Sequence, residues 1–141
     1  MQDETREHDV EYMLGGLMTA RLDAARRVRF DERLRGYALL EDEDFSYRLS
    51  RRGRVRYEPR AAIHHRTLGV SGARSREFNR QLVRNRAYLF RKNFSATPLH
   101  RLQFAGLVLL LFAHRAVNGD WRGLVGLAEG CRDAWRDRRW R

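Results

Sequence analysis

Four consecutive carboxylates, Glu41-Asp42-Glu43-Asp44, stand in a chain whose formal net charge is +11. Neighbouring carboxylates repel one another, and they sit best in the first turn of a helix, where unpaired backbone N–H groups carry partial positive charge. The residues that follow fit that placement. Phe45 and Leu49 fall at i and i+4 on one face, and Arg48, Arg51 and Arg52 gather at the far end before Gly53. The stretch Leu40 to Leu49 therefore predicts a short helix whose N-terminus presents carboxylates at the rim of a site.

The 141 residues suffice for one domain with a modest core, or for part of a larger one. With 29 basic against 18 acidic side chains, the chain favours an anionic partner: nucleotide phosphates, lipid headgroups or nucleic acid. Lys92 is the only lysine. A GC-rich genome produces such an arginine bias unaided, so the charge is discounted as a nucleic-acid signal. The single cysteine, Cys131, excludes an internal disulfide, fits a reducing compartment and reads as a small buried hydrophobe.

Residues 1–9 are polar and acidic, with no apolar core of a signal peptide, and read as a disordered tail. Val10 to Leu14 reads as a short strand running into Gly15-Gly16, where the backbone needs close approach or unusual torsions. Leu17 to Arg27 has helical spacing. Val55 and Tyr57 alternate with charged residues as in a half-buried strand stopped by Pro59, and residues 61–65 form a second extended piece. Arg76 to Asn93 has the period of a helix. Leu102 to Ala113 is a run of 12 residues without a charge. As a helix it is roughly 18 Å long, short of the roughly 30 Å hydrocarbon core of a bilayer. A further helical piece runs from Trp121 to Arg136. Arginine and tryptophan beside these apolar faces suit a pair of helices lying in a membrane interface, with docking on a partner domain as the alternative.

Taken in order, Val10-Glu11-Tyr12-Met13-Leu14-Gly15-Gly16, Arg21, Phe30-Asp31-Glu32-Arg33, Gly36-Tyr37, Glu41-Asp42-Glu43-Asp44-Phe45, Arg48-Leu49, Arg52-Gly53, Tyr57-Glu58-Pro59 and His64-His65 form a series. The series resembles the C-terminal half of the catalytic domain of family 2 glycosyltransferases, inverting enzymes of the GT-A fold that use nucleotide sugars. The likeness is close from Val10 to about His65 and looser to Phe94. The C-terminal part, with Arg122-Gly123-Leu124 and Gly126 to Gly130, looks like the membrane-proximal end of bacterial members that build cell-surface polysaccharides.

The resemblance implies roles residue by residue. Asp42 matches the catalytic base, which takes the proton of the attacking sugar hydroxyl. Glu41 matches its neighbour and orients the acceptor. Gly15 and Gly16 match the segment lining the donor and acceptor pocket. Arg21 is a diphosphate contact or an ordinary surface ion pair. Asp44 belongs to the substrate-binding group, with a structural part, holding Arg48 or a backbone N–H, as the stronger reading. His65 matches a ligand to a divalent metal, Mn²⁺ or Mg²⁺, with His64 as the fallback.

The resemblance thus implies an α/β fold: a partial GT-A domain lacking its N-terminal nucleotide-binding half, with an α-helical C-terminal region. The expected divisions are a tail over 1–9, an acceptor-binding half over 10–98 and an interfacial helical region over 99–141. The nucleotide-binding half carries the Asp-x-Asp motif that holds metal and diphosphate. Without it the chain is expected to be a fragment, a truncated frame or one subunit of a split enzyme, inactive alone. The expected activity is hexosyl or rhamnosyl transfer from a nucleotide-sugar donor to a glycan or lipid-linked acceptor. The expected place is the cytoplasmic face of the bacterial plasma membrane, peripherally bound. Two rivals from other classes are a nucleic-acid-binding module using Arg76 to Lys92 and a non-catalytic membrane-surface adaptor using Leu102 to Trp140. Nucleic acid is not the expected partner, because the leucines and aromatics of the Arg76 to Lys92 helix argue for packing.

Overall fold

The computed structural model describes residues 5–13, 15–34, 38–64, 73–95 and 97–137. The chain divides into two compact units, Met1–Thr67 and Leu68–Arg141. Among the described residues there are five helices and one sheet of two strands. The strand content of the expected α/β fold is confined to that ribbon.

The first unit holds β1 (His8–Asp9), α1 (Leu22–Val28), α2 (Glu41–Ser50) and β2 (Arg56–Tyr57). β1 and β2 are antiparallel, with His8 opposite Tyr57 and Asp9 opposite Arg56. The Val10 N–H extends the pairing by donating to the Val55 carbonyl at 2.9 Å. Two expectations change here. Residues 8 and 9 are a strand and not part of a disordered tail, and the strand expected over Val10 to Leu14 lies earlier in the chain. The acidic residues that made the segment look solvated find arginines across the ribbon: Asp9 pairs with Arg54 at 2.9 Å and Glu7 with Arg56 at 3.1 Å.

α2 forms where the carboxylates and the Phe45/Leu49 spacing place it. It buries Asp44, Phe45, Ser46 and Leu49, and Leu34, Leu40 and Val55 are buried in the same unit. Phe30 stacks on Phe45, ring centroids 4.3 Å apart and planes 16° from parallel. α1 takes up the latter part of the Leu17 to Arg27 stretch, as about two turns after a loop, and buries none of its residues. It is tied at its C-terminal end, where the Arg48 guanidinium donates to the carbonyls of Val28 (2.5 Å) and Arg29 (2.8 Å). A cation at that end also opposes the negative pole of the helix dipole.

The second unit comprises α3 (Ala73–Asn93), α4 (Pro98–Val117) and α5 (Trp121–Arg136). Thr97 caps α4 by accepting the His100 N–H at 3.2 Å, with Pro98 in the first turn. Asp120 caps α5 by accepting the Gly123 N–H at 2.7 Å. α3 and α5 run in the same direction at very short range. A Cβ on Gly126 would collide with the Arg76 carbonyl, and one on Gly130 would lie 2.5 Å from that of Arg80. Ion pairs flank this seam: Arg76 with Glu129, and Arg80 with Asp133 at 2.6 Å. The expected division at residue 98 therefore moves. α3 belongs with α5 in the second unit, because the glycine face of α5 accepts the α3 backbone.

Candidate functional site

The site is the N-terminal turn of α2 and the segment laid across it. Leu40, just before the helix, has φ 75° and ψ 15°, and Ala38 has φ 51°. Left-handed torsions at residues with side chains are costly and persist only when their surroundings hold them. Leu40 is held by burial, at 7% exposure.

The carboxylates then separate by environment. Glu41 is exposed, Asp42 and Glu43 are half-buried, and Asp44 is buried. Asp42 faces the glycine segment: its Oδ2 accepts the Gly15 N–H at 2.8 Å, and its Oδ1 accepts the Glu43 N–H at 2.9 Å. A carboxylate offers about four lone-pair directions, so two remain for a further donor. Asp44 points the other way. Its Oδ2 takes Nε and a terminal nitrogen of Arg48 at 2.9 and 2.6 Å, leaving its side chain with no exposed surface. Asp44 thus holds Arg48, the structural part given as its alternative.

Ser46 is a site residue that the sequence reading passed over. Its hydroxyl accepts the Met13 N–H at 2.9 Å and reaches the Asp42 carbonyl at 2.6 Å, so one side chain joins the segment to the first turn of α2. A signal existed: a serine between Phe45 and Tyr47, four residues after Asp42, stands on the face the helix buries.

Gly15 and Gly16 differ. A Cβ on Gly15 would lie 3.2 Å from Asp42 Oδ2 and 3.3 Å from its Cβ, so the close approach accounts for the glycine. A Cβ on Gly16 would meet nothing within 4 Å. Arg21 is exposed and engaged with Asp23 at 3.4 Å, in keeping with the surface-ion-pair alternative. His65 lies outside the described residues; His64 is exposed. Among the described residues, no three carboxylate, imidazole or thiol groups converge.

In the second unit, three of the α3 arginines proposed for nucleic acid engage α5. Besides Arg76 and Arg80, Arg91 donates to the Ala134 carbonyl at 3.0 Å. Burial pushes the Cys131 thiol above its ordinary value, which fits its reading as a packing residue. Against family models, curated proteins and solved structures, the chain has no match.

Proposed function

We propose that this chain is the acceptor-side portion of an inverting glycosyltransferase, with Asp42 as the base. The observation that supports it most is the hydrogen bond between Gly15 and Asp42, which joins two motifs 27 residues apart. The resemblance assigns both motifs to one substrate pocket. Two further features agree. Gly16 borders open space that packing does not require, and left-handed residues cluster before α2, as at sites where strain is maintained for function.

In this reading an acceptor hydroxyl donates to the remaining lone pair of an Asp42 oxygen. The carboxylate takes the proton as the oxygen attacks the anomeric carbon, and the nucleoside diphosphate leaves from the opposite face with inversion. Glu41, exposed beside it, orients the acceptor. The backbone donors from Gly15 and Glu43 fix the carboxylate so that it need not reorganise during attack. The donor's nucleotide and any divalent metal fall to a nucleotide-binding half or a complementary subunit.

The test is an NMR titration of the whole ¹⁵N-labelled chain with octyl glycosides of rhamnose, galactose and glucosamine. Shifts confined to Gly15, Gly16 and the first turn of α2, reduced in Asp42→Ala, are expected. No shift with any glycoside, or shifts spread elsewhere, would remove the acceptor-side assignment.

A further inference from the structure

α4 buries none of its residues, yet its sequence is the most apolar of the five helices. Leu99, Leu102, Leu109, Leu110 and Val117 fall at spacings of a single helical face, and each is 61% to 87% exposed. That face runs about 27 Å along the helix at 1.5 Å per residue. The opposite side is attached: Phe104 stacks on Phe90 at 4.9 Å, and Arg115 donates to Asn79 at 3.1 Å. α5 adds a second exposed apolar face with Trp121 (76%), Val125 (46%) and Trp135 (77%).

Charge decides what such a surface meets. α4 contains no acidic residue. The acidic residues within α5, Glu129 and Asp133, are turned to Arg76 and Arg80 of α3. Arg122, Arg132 and Arg136 are left exposed along α5. A leucine face without a carboxylate on its own helix, followed by a helix with exposed arginine and tryptophan, complements an apolar slab edged by negative headgroups. No helix of the described residues is long and apolar enough to cross a membrane, which leaves lying in the interface.

We propose that the second unit binds the surface of an anionic lipid bilayer, with the leucine face of α4 embedded and the α5 arginines at the headgroups. The proposal does not depend on the glycosyltransferase reading, and its test involves no sugar.

The experiment is co-sedimentation of the full chain with phosphatidylcholine vesicles, with and without phosphatidylglycerol. Binding to the anionic vesicles is expected, with at least about a tenfold loss in the Leu109→Glu/Leu110→Glu double variant, since two leucines leave the apolar phase and two carboxylates take their place. Both side chains are exposed, so helicity by circular dichroism should be unchanged. The Arg122→Gln/Arg132→Gln/Arg136→Gln variant provides a check that leaves α4 intact: it should lose the preference for phosphatidylglycerol and keep its residual binding to neutral vesicles. Absence of vesicle binding, equal binding to both compositions, or undiminished binding by the leucine variant would overturn the proposal. So would a concentration-dependent dimer in sedimentation velocity that the leucine variant abolishes, because a second copy would then occupy the face.

Discussion

The Gly15 N–H donates to Asp42 Oδ2 at 2.8 Å, and the other carboxylate oxygen accepts the N–H of Glu43. Asp42 therefore has a structural task that is separable from any role as a base. Asp42→Asn keeps an amide oxygen for one of the two donors, whereas Asp42→Ala leaves both without their partner. Asp42→Ala should cost about 1 to 2 kcal/mol and Asp42→Asn roughly half of that. Amide hydrogen exchange at Gly15 and urea unfolding by far-ultraviolet circular dichroism measure the two effects. The proposed base role makes a further prediction: in a system reconstituted with a nucleotide-binding half, Asp42→Asn should lower turnover by orders of magnitude, because an amide is no general base, and retained turnover would remove that role.

Arg48 is the joint of the first unit. It satisfies a carboxylate with no exposed surface and two carbonyls at the end of α1, while its own side chain is 22% exposed. Arg48→Ala removes the guanidinium partner of the buried Asp44 carboxylate, a change that typically costs about 3 to 5 kcal/mol when one partner of a buried pair is removed. Arg48→Lys should rescue little, since one ammonium cannot reproduce the planar fork to Asp44, Val28 and Arg29. The urea midpoint reports both variants.

The seam between α3 and α5 makes glycine substitutions diverge by position. Gly126→Ala and Gly130→Ala force the added Cβ against the Arg76 and Arg80 carbonyls, and the backbones must separate. A loss of about 1 to 3 kcal/mol is expected from such overpacking. Gly106 in α4 has nothing within 4 Å of an added Cβ. Gly106→Ala should stabilise by about 0.5 to 1 kcal/mol through helix propensity alone. Tryptophan fluorescence follows all three, because every tryptophan of the chain belongs to the second unit.

The helices were legible where one local pattern dominated. The carboxylate turn with Phe45 and Leu49 placed α2, and the uncharged run from Leu102 placed α4. Asp120 and Trp121 mark the start of α5 in both readings. What the sequence concealed were pairings between distant residues. Glu7 and Asp9 look like a solvated tail until Arg54 and Arg56 lie opposite them. Gly126 and Gly130 look like weak helix residues until the α3 backbone fills their space, and that packing moved the division between units. The glycines at 15 and 16 announced a close backbone approach but not that Asp42, 27 residues on, is its partner, and the place of Ser46 on the buried face did not say that it ties the same two segments.

The ribbon offers a prediction in pH. Arg60 donates to both Glu58 oxygens, at 2.8 and 3.0 Å, and this hydrogen bonding holds the Glu58 carboxyl at about 2, below its ordinary 4.5. Because the folded value is depressed, the stabilisation is fully present above pH 4.5 and is lost as pH falls from 4.5 towards 2. Glu129 is shifted in the same direction by its hydrogen bond from Arg76, so the α3–α5 seam should also weaken on acidification. These groups are solvent-accessible, and salt should shrink both effects. Carbon-detected NMR titration of the carboxylates distinguishes the partners. Arg60→Gln should return the Glu58 midpoint towards 4.5 while leaving Glu129 depressed, and Arg76→Gln should do the converse. A Glu58 midpoint unmoved by Arg60→Gln would mean that the backbone N–H of residue 60 and the neighbouring Glu7, and not this guanidinium, hold the carboxyl down.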